Sequence, residues 1–116
     1  MHRYEDLQFW KKSKRLSVEI YQITQRFPKS ELFGLTSQMR RCSVSIPSNI
    51  AEGSSRSSKK DFRRFLEIAM GSAYELETQL SISKELGYLE RREYDSSNRE
   101  LISIIQMMSK FKSKLV

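Results

Sequence analysis

One histidine and one cysteine in 116 residues remove most catalytic chemistry at the outset. A di-metal site inside a helical bundle takes Glu-x-x-His pairs from facing helices, and zinc takes spaced Cys and His ligands. His2 and Cys42 supply neither set. A lone cysteine forms no intrachain disulfide, and a Cys–His nucleophile would have to join Cys42 to the chain terminus. Glycine-rich phosphate loops are missing too. No run approaches the ~20 apolar residues of a membrane span. Met1 to Asp6 carry no apolar core of the signal-peptide kind, so a cytoplasmic location without membrane attachment is expected. The chain is read as non-enzymatic, with no catalytic residue, cofactor or metal.

Two prolines and four glycines leave little to interrupt helices, and strand-like alternation of useful length is absent. A single domain over residues 1–116 is expected. The first helix spans about 6–27, with Phe9, Leu16, Ile20, Ile23 and Phe27 at helical spacing, and Pro28 stops it. The second spans about 31–53 with Ser30 as N-cap, its stripe being Leu32, Leu35, Met39, Cys42 or Ser43, Ile46 and Ile50. Pro47 lies inside that run. It frees the Ser43 carbonyl and predicts a kink, although two shorter helices fit almost as well.

Ser58 with Asp61 three residues on reads as a capped start for the third helix, about 59–86, with Gly87 closing it. Gly71 falls in its middle, where glycine costs about 1 kcal/mol against alanine, so close approach of another helix is expected there. The fourth spans about 90–114, with Tyr94, Leu101, Ile105, Met108 and Leu115 inward. Four long helices with short connections predict an all-α, antiparallel up-down-up-down four-helix bundle. Extra apolar residues on the first and fourth helices are candidate subunit contacts.

Charge is abundant and uneven. The net charge is +7, divided as +8 over residues 1–64, −4 over 65–98 and +3 over 99–116. Lys59, Lys60, Arg63 and Arg64 crowd the start of the third helix, against its macrodipole. With Arg56, and with Arg40 and Arg41 extending the patch, they make a candidate surface for nucleic-acid phosphates. The competing reading is a protein-interaction scaffold, in which these cations meet acids such as Glu75, Glu77, Glu85 or Glu90 of a neighbour. Asn49 and Glu52 share a helix face, where a structural hydrogen bond is favoured over catalysis.

Three strings carry a resemblance: Glu31-x-Phe33-Gly34-Leu35-x-x-Gln38-Met39-Arg40-Arg41, then Ser45 to Gly53 (SIPSNIAEG), then Phe65-Leu66-x-Ile68-Ala69-x-Gly71-Ser72 with Glu75-Leu76-x-x-Gln79-Leu80. They closely resemble the bacterial four helix bundle proteins encoded within intervening sequences of large-subunit ribosomal RNA genes. Ser45, Pro47, Asn49, Glu52, Gly53 and Gly71 are its structural positions here. The resemblance implies a small antiparallel bundle assembling as a homopentameric ring. A similar relative is the accessory variability determinant of diversity-generating retroelements, a basic pentamer that binds nucleic acid and a reverse transcriptase. It therefore implies a nucleic-acid-binding accessory protein with a nucleic-acid-processing partner.

Overall fold

The computed structural model describes residues 3–116; His2 lies outside them. Four α-helices carry the fold: α1 Gln8–Thr24, α2 Ser37–Ser54, α3 Lys59–Glu85 and α4 Arg91–Ser113. Each packs antiparallel to its neighbour in sequence, and α4 returns against α1, closing a four-helix bundle of 43 × 24 × 19 Å. The described residues contain no strand. Phe9, Leu16, Ile20 and Ile23 of α1 meet Met39, Ile46 and Ile50 of α2 in the core. Phe62, Leu66, Ala69, Ala73, Leu76 and Leu80 of α3 and Leu101, Ile104 and Met108 of α4 complete it.

Serine completes this core where hydrophobes are few. Ser13, Ser17, Ser43, Ser83 and Ser97 are all buried. Ser13 Oγ donates to Trp10 O (3.0 Å), Ser43 Oγ to Arg40 O (2.9 Å) and Ser83 Oγ to Gln79 O (2.8 Å). A small side chain that satisfies itself on the preceding turn lets helices approach without leaving a polar atom unpaired.

Pro47 sits within α2, which runs unbroken from Ser37 to Ser54. The carbonyl it frees is Ser43 O, and Ser17 Oγ reaches across from α1 to donate to it at 2.7 Å. The departure from helix lies earlier. Lys29–Glu31 form a 3-10 turn, and Leu32–Thr36 a wide π-type turn with Gly34 at φ −112°, ψ −117°. Glu31, rather than Ser30, caps this turn: its Oε1 accepts from Leu35 N (3.1 Å), and its Oε2 accepts from Tyr88 OH (3.0 Å). This double clasp ties the α1–α2 connection to the α3–α4 connection. A Cβ on Gly34 would stand 2.6 Å from Glu31 Oε1 and evict it. The turn also shifts the register: Leu32 is exposed, while Thr36 and Ser43 are buried and Cys42 half-buried.

The ends of α3 follow expectation. Ser58 Oγ accepts from Asp61 N at 3.1 Å, and Gly87 takes φ +80° with Tyr88 N donating to Ser83 O and Gly87 N to Lys84 O. That pair of bonds is a Schellman closure. The expected close approach at Gly71 is not there, since a Cβ added to it meets nothing within 4 Å. Gly53 fills that role instead: a Cβ there would lie 2.7 Å from Phe65 Cβ and 2.9 Å from Phe62 Cδ1. In α4, Ile104 is buried and Ile105 half-buried, the reverse of the expected order.

Candidate nucleic-acid interface

The turn from α2 to α3 brings Arg56, Lys59, Lys60, Arg63 and Arg64 together at one end of the bundle, all exposed. Phe65 organises part of this cluster: the guanidinium carbons of Arg56 and Arg64 each lie 4.9 Å from its ring centre. Arg56 also pairs with Glu52 (3.2 Å), and Arg64 approaches Asp61 (4.0 Å). These exposed pairs are weak and yield to a stronger anion. Lys59, Lys60 and Arg63 make no ion pair among the described residues.

Antiparallel topology adds a group that reading along the chain left separate. The C-terminal turns of α4 return beside the start of α3, where Phe111 packs 5.6 Å from Phe62, ring centre to ring centre, and Lys112 Nζ lies 4.0 Å from Glu67. Lys110 and Lys114 therefore join the same end, exposed and without ion pairs among the described residues. The signal was the +3 of residues 99–116, together with an even number of helices.

Arg40 and Arg41 do not belong to this patch. About 15 residues of helix, roughly 22 Å at 1.5 Å per residue, separate Arg41 from Arg56. Arg40 is engaged: its Nε donates to Thr24 Oγ1 (2.9 Å), its Nη2 to Tyr21 O (3.3 Å), and its guanidinium lies 4.6 Å from the Tyr21 ring centre. It neutralises the carbonyl end of α1, where a cation is favoured. Arg41 projects outward, with no ion pair among the described residues.

Asn49 and Glu52 part company. Asn49 Nδ2 donates to Ser45 O (2.8 Å) and Ser45 Oγ (2.9 Å), and Ser45 Oγ meets Ser72 Oγ of α3 at 2.8 Å. This is a polar rivet between α2 and α3, which fits the structural reading. Glu52 faces solvent and holds Arg56. Burial pushes the Cys42 thiol up, opposed by the hydrogen bond from Gln79 Nε2 (3.5 Å) and assisted by Glu75. Such a thiol is a poor nucleophile near neutrality. Among the described residues no three His, Cys, Asp or Glu side chains gather as a metal cage requires, and no helix is long and apolar enough to cross a membrane.

An all-α antiparallel bundle with one cationic end is the class that fold and surface define. The chain belongs to the 23S rRNA-intervening sequence protein family, whose model matches residues 5–110. It is similar to a crystal structure of a protein of unknown function from the S23 ribosomal protein family of Bacteroides thetaiotaomicron VPI-5482. There the TM-score is 0.85 at 26% identity, covering 91% of this chain and 96% of that one. No curated protein matches the chain.

Proposed function

We propose that this protein is a non-enzymatic nucleic-acid-binding accessory protein whose basic end grips phosphates with little regard to sequence. One observation carries the reading: α3's first turns and α4's last turns converge, so that Lys59, Lys60, Arg63, Lys110 and Lys114 share one end without ion pairs among the described residues. Unneutralised cations on one surface suit a polyanion, because each phosphate they meet releases condensed counterions. The family's link to ribosomal RNA intervening sequences favours RNA as the first ligand to try. A nucleic-acid-processing partner such as a reverse transcriptase belongs to the same reading.

Assembly as a homopentameric ring is part of the proposal. Ile68, Tyr74 and Ile82 of α3 and Val44 of α2 are exposed apolar side chains, and Gly71 between them leaves open space. Val18 and Tyr21 of α1 and Ile102 of α4 are exposed as well, so both helix pairs offer apolar contacts to a neighbouring subunit.

The test is a fluorescence-anisotropy titration of a labelled RNA with wild type and with Lys60→Glu/Arg63→Glu/Arg64→Glu. Binding should be lost in the variant, while circular dichroism and light-scattering mass stay the same. If the variant binds RNA like wild type but falls apart as an assembly, the cations serve a protein contact and the scaffold reading replaces this one.

A further inference from the structure

A hollow of about 440 Å³ opens between α1 and the α1–α2 connection, at the end of the bundle away from the basic cluster. That size is within the range of small-ligand sites. Tyr21, Leu32, Phe33, Thr36, Arg40 and Arg41 line it. Phe33 is 91% exposed, the most exposed large hydrophobe of the described chain. The turn that presents it is held: Glu31 clasps Leu35 N and Tyr88 OH, and Arg40 braces Tyr21 and Thr24. A bare aromatic ring on a fixed turn, beside a guanidinium without an ion pair among the described residues, has no role in the bundle's own packing.

We propose that this hollow is a stacking site for one unpaired base of a single-stranded nucleic acid, with Phe33 as the platform and Arg41 on the adjoining phosphate. The inference rests on the nucleic-acid reading above and adds a preference for strand over duplex. Two guanidiniums and no carboxylate line the hollow, so its field selects an anionic occupant. Its apolar wall is the rings of Phe33 and Tyr21 with Leu32 as the one aliphatic side chain, rather than a stripe of aliphatic anchors, which suits a flat π-face more than a docking helix. Bases within a duplex have both faces covered and cannot enter, whereas an unpaired base can. The basic end reads only phosphate and accepts either form.

Wild type, Phe33→Leu and Phe33→Trp are titrated against a labelled 20-nucleotide single-stranded RNA and against the duplex of the same sequence. Leucine keeps the apolar surface and loses the π-face; tryptophan keeps both. Phe33→Leu should weaken single-strand binding about 5- to 150-fold, the range one stacked base contributes, and Phe33→Trp should restore it. Duplex affinity should not change. Equal loss of strand and duplex, no loss at all, or a change in light-scattering mass with Phe33→Leu each overturns the stacking site; the last identifies the ring as a protein contact. The two sites fail separately. Triple charge reversal at the basic end weakens strand and duplex alike, whereas Phe33 acts on the strand alone. If reversal has no effect while Phe33→Leu weakens the strand, the stacking site stands and the basic-end reading falls.

Discussion

Ser17 and Pro47 form a pair whose logic is invisible in either residue alone. Proline at position 47 removes the amide that would have bonded Ser43 O, and a buried carbonyl without a donor costs about 1–3 kcal/mol. The Ser17 hydroxyl supplies the missing donor from the facing helix. Ser17→Ala should therefore lower the free energy of unfolding by about 1–3 kcal/mol in urea. In a Pro47→Ala background, where α2 can satisfy Ser43 itself, the same change should cost clearly less. Equal costs in both backgrounds would show that the hydroxyl and the proline are unconnected.

Two glycine-to-alanine changes should move stability in opposite directions. Gly53→Ala forces a methyl against Phe65 and Phe62 and should cost about 1–3 kcal/mol by overpacking. Gly71→Ala adds a methyl to open space on a helix and should stabilise the isolated chain by about 1 kcal/mol. Urea unfolding of both variants reads the contrast, and a loss at Gly71 would place another chain against it. In the sequence alone these glycines look alike, because what separates them is a neighbouring helix.

At the scale of elements, the helices were legible and their joints were not. The apolar stripe of the first helix identified Phe9, Leu16, Ile20, Ile23 and Phe27 correctly because spacing by three and four reports burial directly. The start of α2 was misread, since Leu32 continues the stripe by count while the wide turn at Gly34 breaks the register. Only Glu31 bonding to both Leu35 and Tyr88 explains that turn, and Tyr88 is 57 residues away. Of the candidate site, the cluster at 56–64 was legible as a local run of charge. Lys110 and Lys114 joined it, and Arg40 and Arg41 left it, through helix length and direction.

A second joint carries a pH signature. Glu93, at the start of α4, accepts from Arg26 and, through Oε1, from Glu90 N at 3.1 Å. The Arg26 hydrogen bond holds its carboxyl below the ordinary value; burial pulls the other way, and the Glu90 amide adds to the lowering. A carboxyl depressed in the folded state stabilises the fold above its unfolded pKa, and that contribution drains away as pH falls through the folded value. Thermal midpoints should therefore fall more steeply below about pH 4.5 in wild type than in Glu93→Gln. Parallel curves would show that the pair contributes nothing.

The whole molecule is polarised from end to end. One end gathers α3's first turns, α4's last turns and the Arg56 turn, while at the other Glu75, Glu77, Glu85 and Glu90 stand among Arg26, Lys29, Lys84, Arg91 and Arg92, with Arg40 and Arg41 beside the hollow. The +7 total conceals this, because many of the acids stand among cations at the far end, while the basic end holds more cations than its Glu52, Asp61 and Glu67 can pair. Screening over about 8–10 Å at physiological salt keeps the two ends electrostatically separate. A polyanion arriving from solution therefore meets a locally cationic surface.

The most direct test is the salt dependence of RNA binding, measured by anisotropy at four or five salt concentrations. With five phosphates engaged by Lys59, Lys60, Arg63, Lys110 and Lys114, log K against log salt should slope about −3.5 for single strand and about −4.5 for duplex. Removing Lys110 and Lys114 as alanines should make each slope shallower by about 1.4 to 1.8. A slope near zero, or one that the two alanines leave unchanged, would contradict a phosphate-gripping end built from α3 and α4 together.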